Sequence, residues 1–359
     1  MVKQSARPAK PRSRTPHWLL GGLLALLAGA PARADEPVPN AVDALRPQPV
    51  RLAIDVFGKT ADIEVRDLPR ESARIAIEEA LHEMFYVSVF ADPDGQIAGG
   101  LGQLNAAAGG AELTLDRRAF ELLIRGLQFC LWSNGVYSPV GGAVYRLWRE
   151  QASPYPADLQ AAVASAGCRQ VQIAGGEAGK SGRARLAAGS RIDPVGIAEG
   201  FAVDRAADIL QKHGARNALI SLGRLRRAIG PGTDGKGWLI DVPGLAAKDP
   251  PIDQVWLRDQ SFSVTRVDDA FRPLDMKTGL PARGTLQVAA VTELAADAQG
   301  LTTTLFVFSQ SKGQQHLGAL QPRPSVHWLI GQSGAPVEST YHWTDLSRPN
   351  SSVTSSIHN

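Results

Sequence analysis

The stretch from Ile192 to Gly230 constrains this chain more than any other. It opens Ile192-Asp193-Pro194-Val195-Gly196-Ile197-Ala198-Glu199-Gly200-Phe201-Ala202-Val203-Asp204 and closes with a β-rich run, Asn217-Ala218-Leu219-Ile220-Ser221-Leu222-Gly223. Pro194 interrupts regular structure and Gly196 permits a close backbone approach. From Ile197, apolar side chains recur at Phe201, Ala202, Ile209 and Leu210, which is helical spacing. The helix should stop at Gly214. A loop, a helix with small residues crowding its amino end, and a returning strand therefore form one unit. Such a helix start can receive an anion such as phosphate, because its first N–H groups lack intrahelical partners. The same glycines equally suit tight packing, and spacing alone does not separate the two readings.

Elsewhere, strand character at Leu52 to Val56 and Ala61 to Val65 predicts a hairpin around Gly58-Lys59-Thr60. A helix is expected from Arg70 to Phe90, with Ile75, Ile77, Leu81, Met84 and Phe85 on its buried side, and another from Asp116 to Ser133. Further on, a helix over Ala157 to Ala166 precedes strands at Gln170 to Ile173, Trp238 to Pro243 and Phe262 to Thr265. Short strands alternating with a few helices argue for the α+β class, antiparallel sheets with helices packed on them. The chain has 359 residues, 44% of them hydrophobic, enough for one large or two modest domains.

The first residues are of another kind. Lys3, Arg7, Lys10, Arg12 and Arg14 precede an apolar run from Trp18 to Ala30, and Ala32-Arg33-Ala34 is a small-residue cleavage signature. Residues 1–34 thus read as a secretory signal peptide, followed by a proline-rich linker over 35–49, one domain over 50–340 and a polar tail over 341–359. No cysteine lies near the cut, so a lipid anchor is not expected, and the mature chain should be soluble and periplasmic or otherwise exported. Removing the signal takes the formal charge from +3 to −3, which excludes nucleic acid as a partner on charge grounds. Cys130 and Cys168 remain. In an oxidising compartment they could pair, but Cys130 sits in the apolar pattern of Leu122, Leu123, Leu127, Phe129 and Leu131 and reads first as a small buried hydrophobe, which leaves the pairing open. His316, His327 and His342 read as scattered surface or core residues.

The central unit resembles the ApbE family, the FAD:protein FMN transferases, in which Gly-Gly-Ile-Ala-Lys-Gly-Tyr-Ala-Val-Asp precedes a strand ending Gly-Gly-Asp. Other segments resemble the family in the same order. These are Leu104-Asn105-Ala106-Ala107, the run from Asn134 through Pro139 and Gly142 to Trp148, Asp275-Met276-Lys277-Thr278-Gly279-Leu280-Pro281, and Ala298 to Val307. The resemblance implies a T-fold-related α+β architecture and a reaction that cleaves FAD, attaches FMN to a threonine of a target protein and releases AMP. It further implies flavin contacts at Gly142, Gly196, Ile197, Ala198, Glu199, Gly200, Asp204, Gly223, Asp275, Thr278 and Gly279, and magnesium held by Ala198 and Thr303.

The ionisable positions depart from that pattern. The family's lysine is Glu199, its aspartates are Ser138, Leu225 and Gln299, and its histidine, a plausible general base, is Arg272. Gln299 is a poorer magnesium ligand than a carboxylate, and arginine cannot accept a proton. The expectation is an exported flavin-binding or partner-binding protein that serves flavin handling or maturation of a redox client, exported or membrane-bound, with transfer weakened or lost. An active transferase would need altered metal ligation through Asp297, with Asp193 or Asp204. A third reading is an interaction protein that no longer binds flavin. Arg224, Arg226, Arg227 and Arg272 could hold flavin phosphates without metal.

Overall fold

Two alternating runs pair as a hairpin, β1 (Val50–Val56) with β2 (Lys59–Val65). Phe57 and Gly58 connect them, both at positive φ, 55° and 69°, as two-residue hairpin turns require. The computed structural model describes residues 48–346 apart from 176–180, 247, 268–271, 332–334 and 344–345. The expected signal peptide, nearly all of the linker and most of the polar tail lie outside the described residues.

α1 (Arg70–Ala91) buries Ala73, Ile77, Ala80, Met84 and Val87 along one stripe. Ile75 and Phe85, expected on that side, are instead 46% and 48% exposed, because alanines carry the seam and both residues fall off it. Next come α2 (Leu101–Ala106), β3 (Leu113–Leu115), α3 (Arg117–Trp132), α4 (Gly142–Glu150), α5 (Pro156–Ala164), β4 (Val171–Ala174) and β5 (Gly182–Leu186). α6 (Ala198–Lys212) follows, ending just before Gly214. β6 (Ala218–Leu222), β7 (Leu225–Ile229), β8 (Trp238–Val242), β9 (Asp253–Leu257), β10 (Ser261–Arg266) and β11 (Thr285–Thr292) lead to α7 (Ala295–Val307). α8 (Gln310–Leu317), β12 (Ser325–Ile330) and β13 (Val337–Tyr341) complete the order. Among the described residues no helix is long and apolar enough to cross a membrane.

The main sheet has eight strands in the order β1-β2-β6-β7-β10-β11-β12-β13, every neighbouring pair antiparallel. This is the expected α+β class. β7 and β10 join through only two residue pairs, Arg227 with Ser261 and Arg226 with Phe262. On one side of that join, Ile63 and Ile220 pack with Ile77 of α1 and Val203 and Leu210 of α6. On the other, Val288 and Trp328 pack with Leu123 of α3 and Leu301 and Phe306 of α7. The two helix layers meet where α6 crosses α7. Gly200 suits that crossing, since a Cβ would come 2.4 Å from the Ala295 carbonyl oxygen and force a backbone shift.

Cys130 and Cys168 form a disulfide, their Cα atoms 5.9 Å apart. Cys130 is fully buried as expected, but it is a half-cystine: the chain returns after α5 and lays Cys168 against α3. The fold also continues past residue 340. Trp343 is 4% exposed and its Nε1 donates to Asp253 Oδ2 at 2.7 Å.

Candidate functional site

The loop that starts α6 is gripped from two sides. Asn105 of α2 donates from Nδ2 to the Ile192 carbonyl at 2.8 Å and accepts from the Ile192 N–H at 2.6 Å. From the other side, Gly142 N–H donates to the Arg191 carbonyl at 2.9 Å and Asp193 N–H to the Pro139 carbonyl at 2.8 Å. Ser138 shapes that turn, its Oγ accepting from Val140 N–H at 3.0 Å. Gly142 fits because a Cβ would come 2.8 Å from the Arg191 carbonyl oxygen. Two buried backbones thereby place Gly196 against α7. Gly196 has φ 85°, and a Cβ there would lie 2.7 Å from Thr303 Cγ2.

Gly196 and Thr303 line a cleft of about 960 Å³. Its apolar wall includes Trp148, Val195, Leu225, Val264, Leu274 and Pro281; its charged residues are Lys59, Arg149, Arg224, Arg272 and Glu199. A neighbouring cavity of about 370 Å³ shares Val195, Gly196, Glu199 and Gln299 with it. Glu199 and Gln299 thus stand between the two. Lys59 Nζ donates to both Glu199 oxygens, at 2.6 and 2.8 Å. Gln299 accepts from Gly200 N–H through Oε1 at 2.8 Å and points Nε2 toward Glu199 Oε2 at 3.4 Å. The amino end of α6 thus gives one of its unpaired N–H groups to an amide oxygen.

The remaining motif residues divide by role. Ile197 is fully buried, the residue before α6, and Ala198 lines the smaller cavity. Gly223, at φ 54°, turns β6 into β7 at the cleft rim. Asp275 Oδ1 accepts from Lys277 N–H at 2.9 Å, its carbonyl accepts from Gly279 N–H, and Thr278 Oγ1 accepts from Leu280 N–H at 3.3 Å. Those three residues build the turn that carries Leu274 and Pro281 to the cleft. Gly279 also anchors Trp148, whose Nε1 donates to its carbonyl at 2.7 Å. Asp204 faces α7 instead, accepting from Ala295 and Ala296 N–H at 2.7 and 2.9 Å, and burial pushes its carboxyl up to about 7.

Three acids that could have replaced a missing metal ligand are engaged elsewhere. Asp204 caps α7. Asp193 holds Arg149 at 3.0 Å, and burial raises its carboxyl. Asp297 pairs with Arg125 in a separate cavity of about 590 Å³ that contains none of the motif glycines. Arg226 and Arg227 are also turned away, Arg226 onto the Gly223 and Leu225 carbonyls and Arg227 onto the Glu293 carbonyl at 2.7 Å. Tyr145, buried in the cleft wall, is held protonated because burial and nearby Asp193 raise its hydroxyl well above the ordinary tyrosine range.

The cleft fits a flavin dinucleotide: an apolar wall for a flat ring, cations for its phosphates, and a glycine-lined floor. It does not fit magnesium. No group of three or more His, Cys, Asp or Glu is placed to hold a metal among the described residues. Gln299 Oε1 already accepts a backbone N–H, and Glu199 is paired with an ammonium. Reading the sequence in order missed Lys59 and Arg149. Lys59 lies 140 residues from Glu199, and its only local signal was a place next to a hairpin turn.

Known proteins share this fold. An FAD:protein FMN transferase of Treponema pallidum (strain Nichols) is 30% identical over 239 residues, 59% of this chain. The chain spans just under two thirds, 66%, of that relative's length. The ApbE protein of Thermotoga maritima superposes with a TM-score of 0.72 at 23% identity, covering 84% of this chain and 100% of its own. The apo flavinyl transferase ApbE of Pseudomonas stutzeri gives 0.70 at 21%, covering 84% and 97%. Both show the fold. A model of the ApbE family matches residues 57–326, from the hairpin turn to β12 and across the whole cleft, and the chain belongs to that family.

Proposed function

We propose that this chain binds FAD in the 960 Å³ cleft and serves flavin handling, or maturation of an exported or membrane-bound redox protein, with magnesium-dependent FMN transfer weakened or lost. The observation that carries this reading is the Lys59–Glu199–Gln299 chain, which occupies with hydrogen bonds the place where a dication would need open carboxylate oxygens. Arg272 at the rim adds to it: a guanidinium can pair with phosphate but cannot take a proton from an acceptor hydroxyl. Rerouted metal ligation finds less support, because Asp193, Asp204 and Asp297 each have another partner. The basic, apolar start of the sequence supports export to the periplasm.

The test is an FAD titration followed by flavin fluorescence, with AMP release measured in magnesium beside a threonine-bearing acceptor. The expected result is saturable binding without AMP. Steady AMP release would overturn the loss of transfer, and absence of FAD binding would overturn the flavin reading and favour a pure interaction protein.

A further inference from the structure

Resting on the flavin reading above, we infer that the Lys59 ammonium neutralises the pyrophosphate of the bound dinucleotide in place of a divalent cation, so that FAD binding is independent of magnesium. Lys59 opens β2 directly after the Phe57-Gly58 turn and is the cross-strand partner of Val56, which fixes where its side chain starts. The stem runs over Gly223: a Cβ at that glycine would sit 3.0 Å from Lys59 Cδ and 3.6 Å from Cε. Nζ then reaches both Glu199 oxygens inside the cleft.

Two features make this a ligand-facing cation and not only a closed ion pair. The Lys59 side chain is 46% exposed against 19% for Glu199, so the ammonium forms the solvent side of the pair. An ammonium carries three N–H donors, and a two-oxygen carboxylate takes two of them. Charge points the same way. Among the described lining residues Lys59 pairs with Glu199 and Arg149 with Asp193, and Arg272 stands at the rim as a further cation. A pyrophosphate diester brings two negative charges into that field. A dication beside Gln299 would instead meet a neutral amide whose oxygen is taken, next to a fixed ammonium.

The experiment titrates the full-length protein with FAD and with riboflavin, which lacks phosphate, each in EDTA and in magnesium. Wild type, Lys59→Met, and Lys59→Met combined with Glu199→Gln are compared, with thermal unfolding as the check on fold. FAD affinity of the wild type should agree within about twofold between EDTA and magnesium. Lys59→Met should weaken FAD roughly 10- to 100-fold, as loss of a charge-assisted hydrogen bond does, and leave riboflavin within about twofold. The double variant should stay weak, because its phosphate contact is missing even though no bare carboxylate remains. Wild-type binding that magnesium tightens would overturn the proposal, even if the variants do not fold. So would a Lys59→Met protein that binds FAD normally, or a double variant restored to wild-type affinity, which would reduce Lys59 to a counter-ion for Glu199. A wild type that binds FAD in neither buffer would remove the flavin reading itself.

Discussion

Two carboxylates of α6 face the same neighbouring helix and do opposite work. Asp204 is partly buried, and each of its oxygens accepts from a backbone N–H at the start of α7. Glu199, nearer the cleft, is held by the long half-exposed side chain of Lys59 and by the amide of Gln299. Fixed backbone donors make the Asp204 end a fastening; adaptable side chains make the Glu199 end a site. An acidic residue in a motif therefore has no role until its partner is known. Changes at the fastening should cost stability and spare flavin, while changes at the site should do the reverse.

The largest expected effect lies outside the cleft lining. Replacing Cys130 and Cys168 by serine opens a link across a sequence separation of 38 and should cost about 4 kcal/mol of unfolding free energy in denaturant titration, with FAD affinity of the folded protein unchanged. Asp204→Ala strips two N–H groups of α7 of their acceptor and should cost roughly 2–4 kcal/mol. A loss of FAD affinity exceeding that of Lys59→Met would break the division.

Asp204 also sets a pH dependence. Its folded carboxyl is raised from 3.8 to about 7, so between those values the folded state keeps a proton that the unfolded state releases. Its contribution is fully present below about 4 and lost as pH rises through about 7. Denaturant midpoints across that window should fall in the wild type and flatten in Asp204→Asn. Gly200→Ala tests the boundary, since its Cβ meets the Ala295 backbone while its N–H holds Gln299: about 1–3 kcal/mol of stability, with some loss of FAD affinity, should follow. The smallest effect is expected for Arg272→Ala, an exposed rim cation, at about two- to fivefold weaker FAD binding with no change in thermal unfolding.

Much of the frame was legible. Turn residues and helical spacing predict the hairpin, α1, α3, α6 and the strand ending before Gly223. β11 gave no signal because Val288, Ala289, Ala290 and Val291 are all buried, which removes the alternation that marks a half-exposed strand. β7 was hidden by its charges: Arg227 is only 8% exposed, yet in sequence it reads as a phosphate ligand. Within the site, Gly196, Glu199, Gln299, Thr303 and Arg272 line one cleft. The Lys59 contact was not legible, since no local pattern ties a hairpin lysine to a helix far along the chain.

Asn105 governs how the chain can leave Ile192. By giving both the N–H and the carbonyl of Ile192 a partner, its side-chain amide imitates a neighbouring strand over a single residue. Sheet pairing would have forced the Ile192 loop to run parallel or antiparallel to something. A one-residue imitation imposes no such direction, and it leaves the chain free to swing sharply at Pro194 and deliver Gly196 end-on to α7.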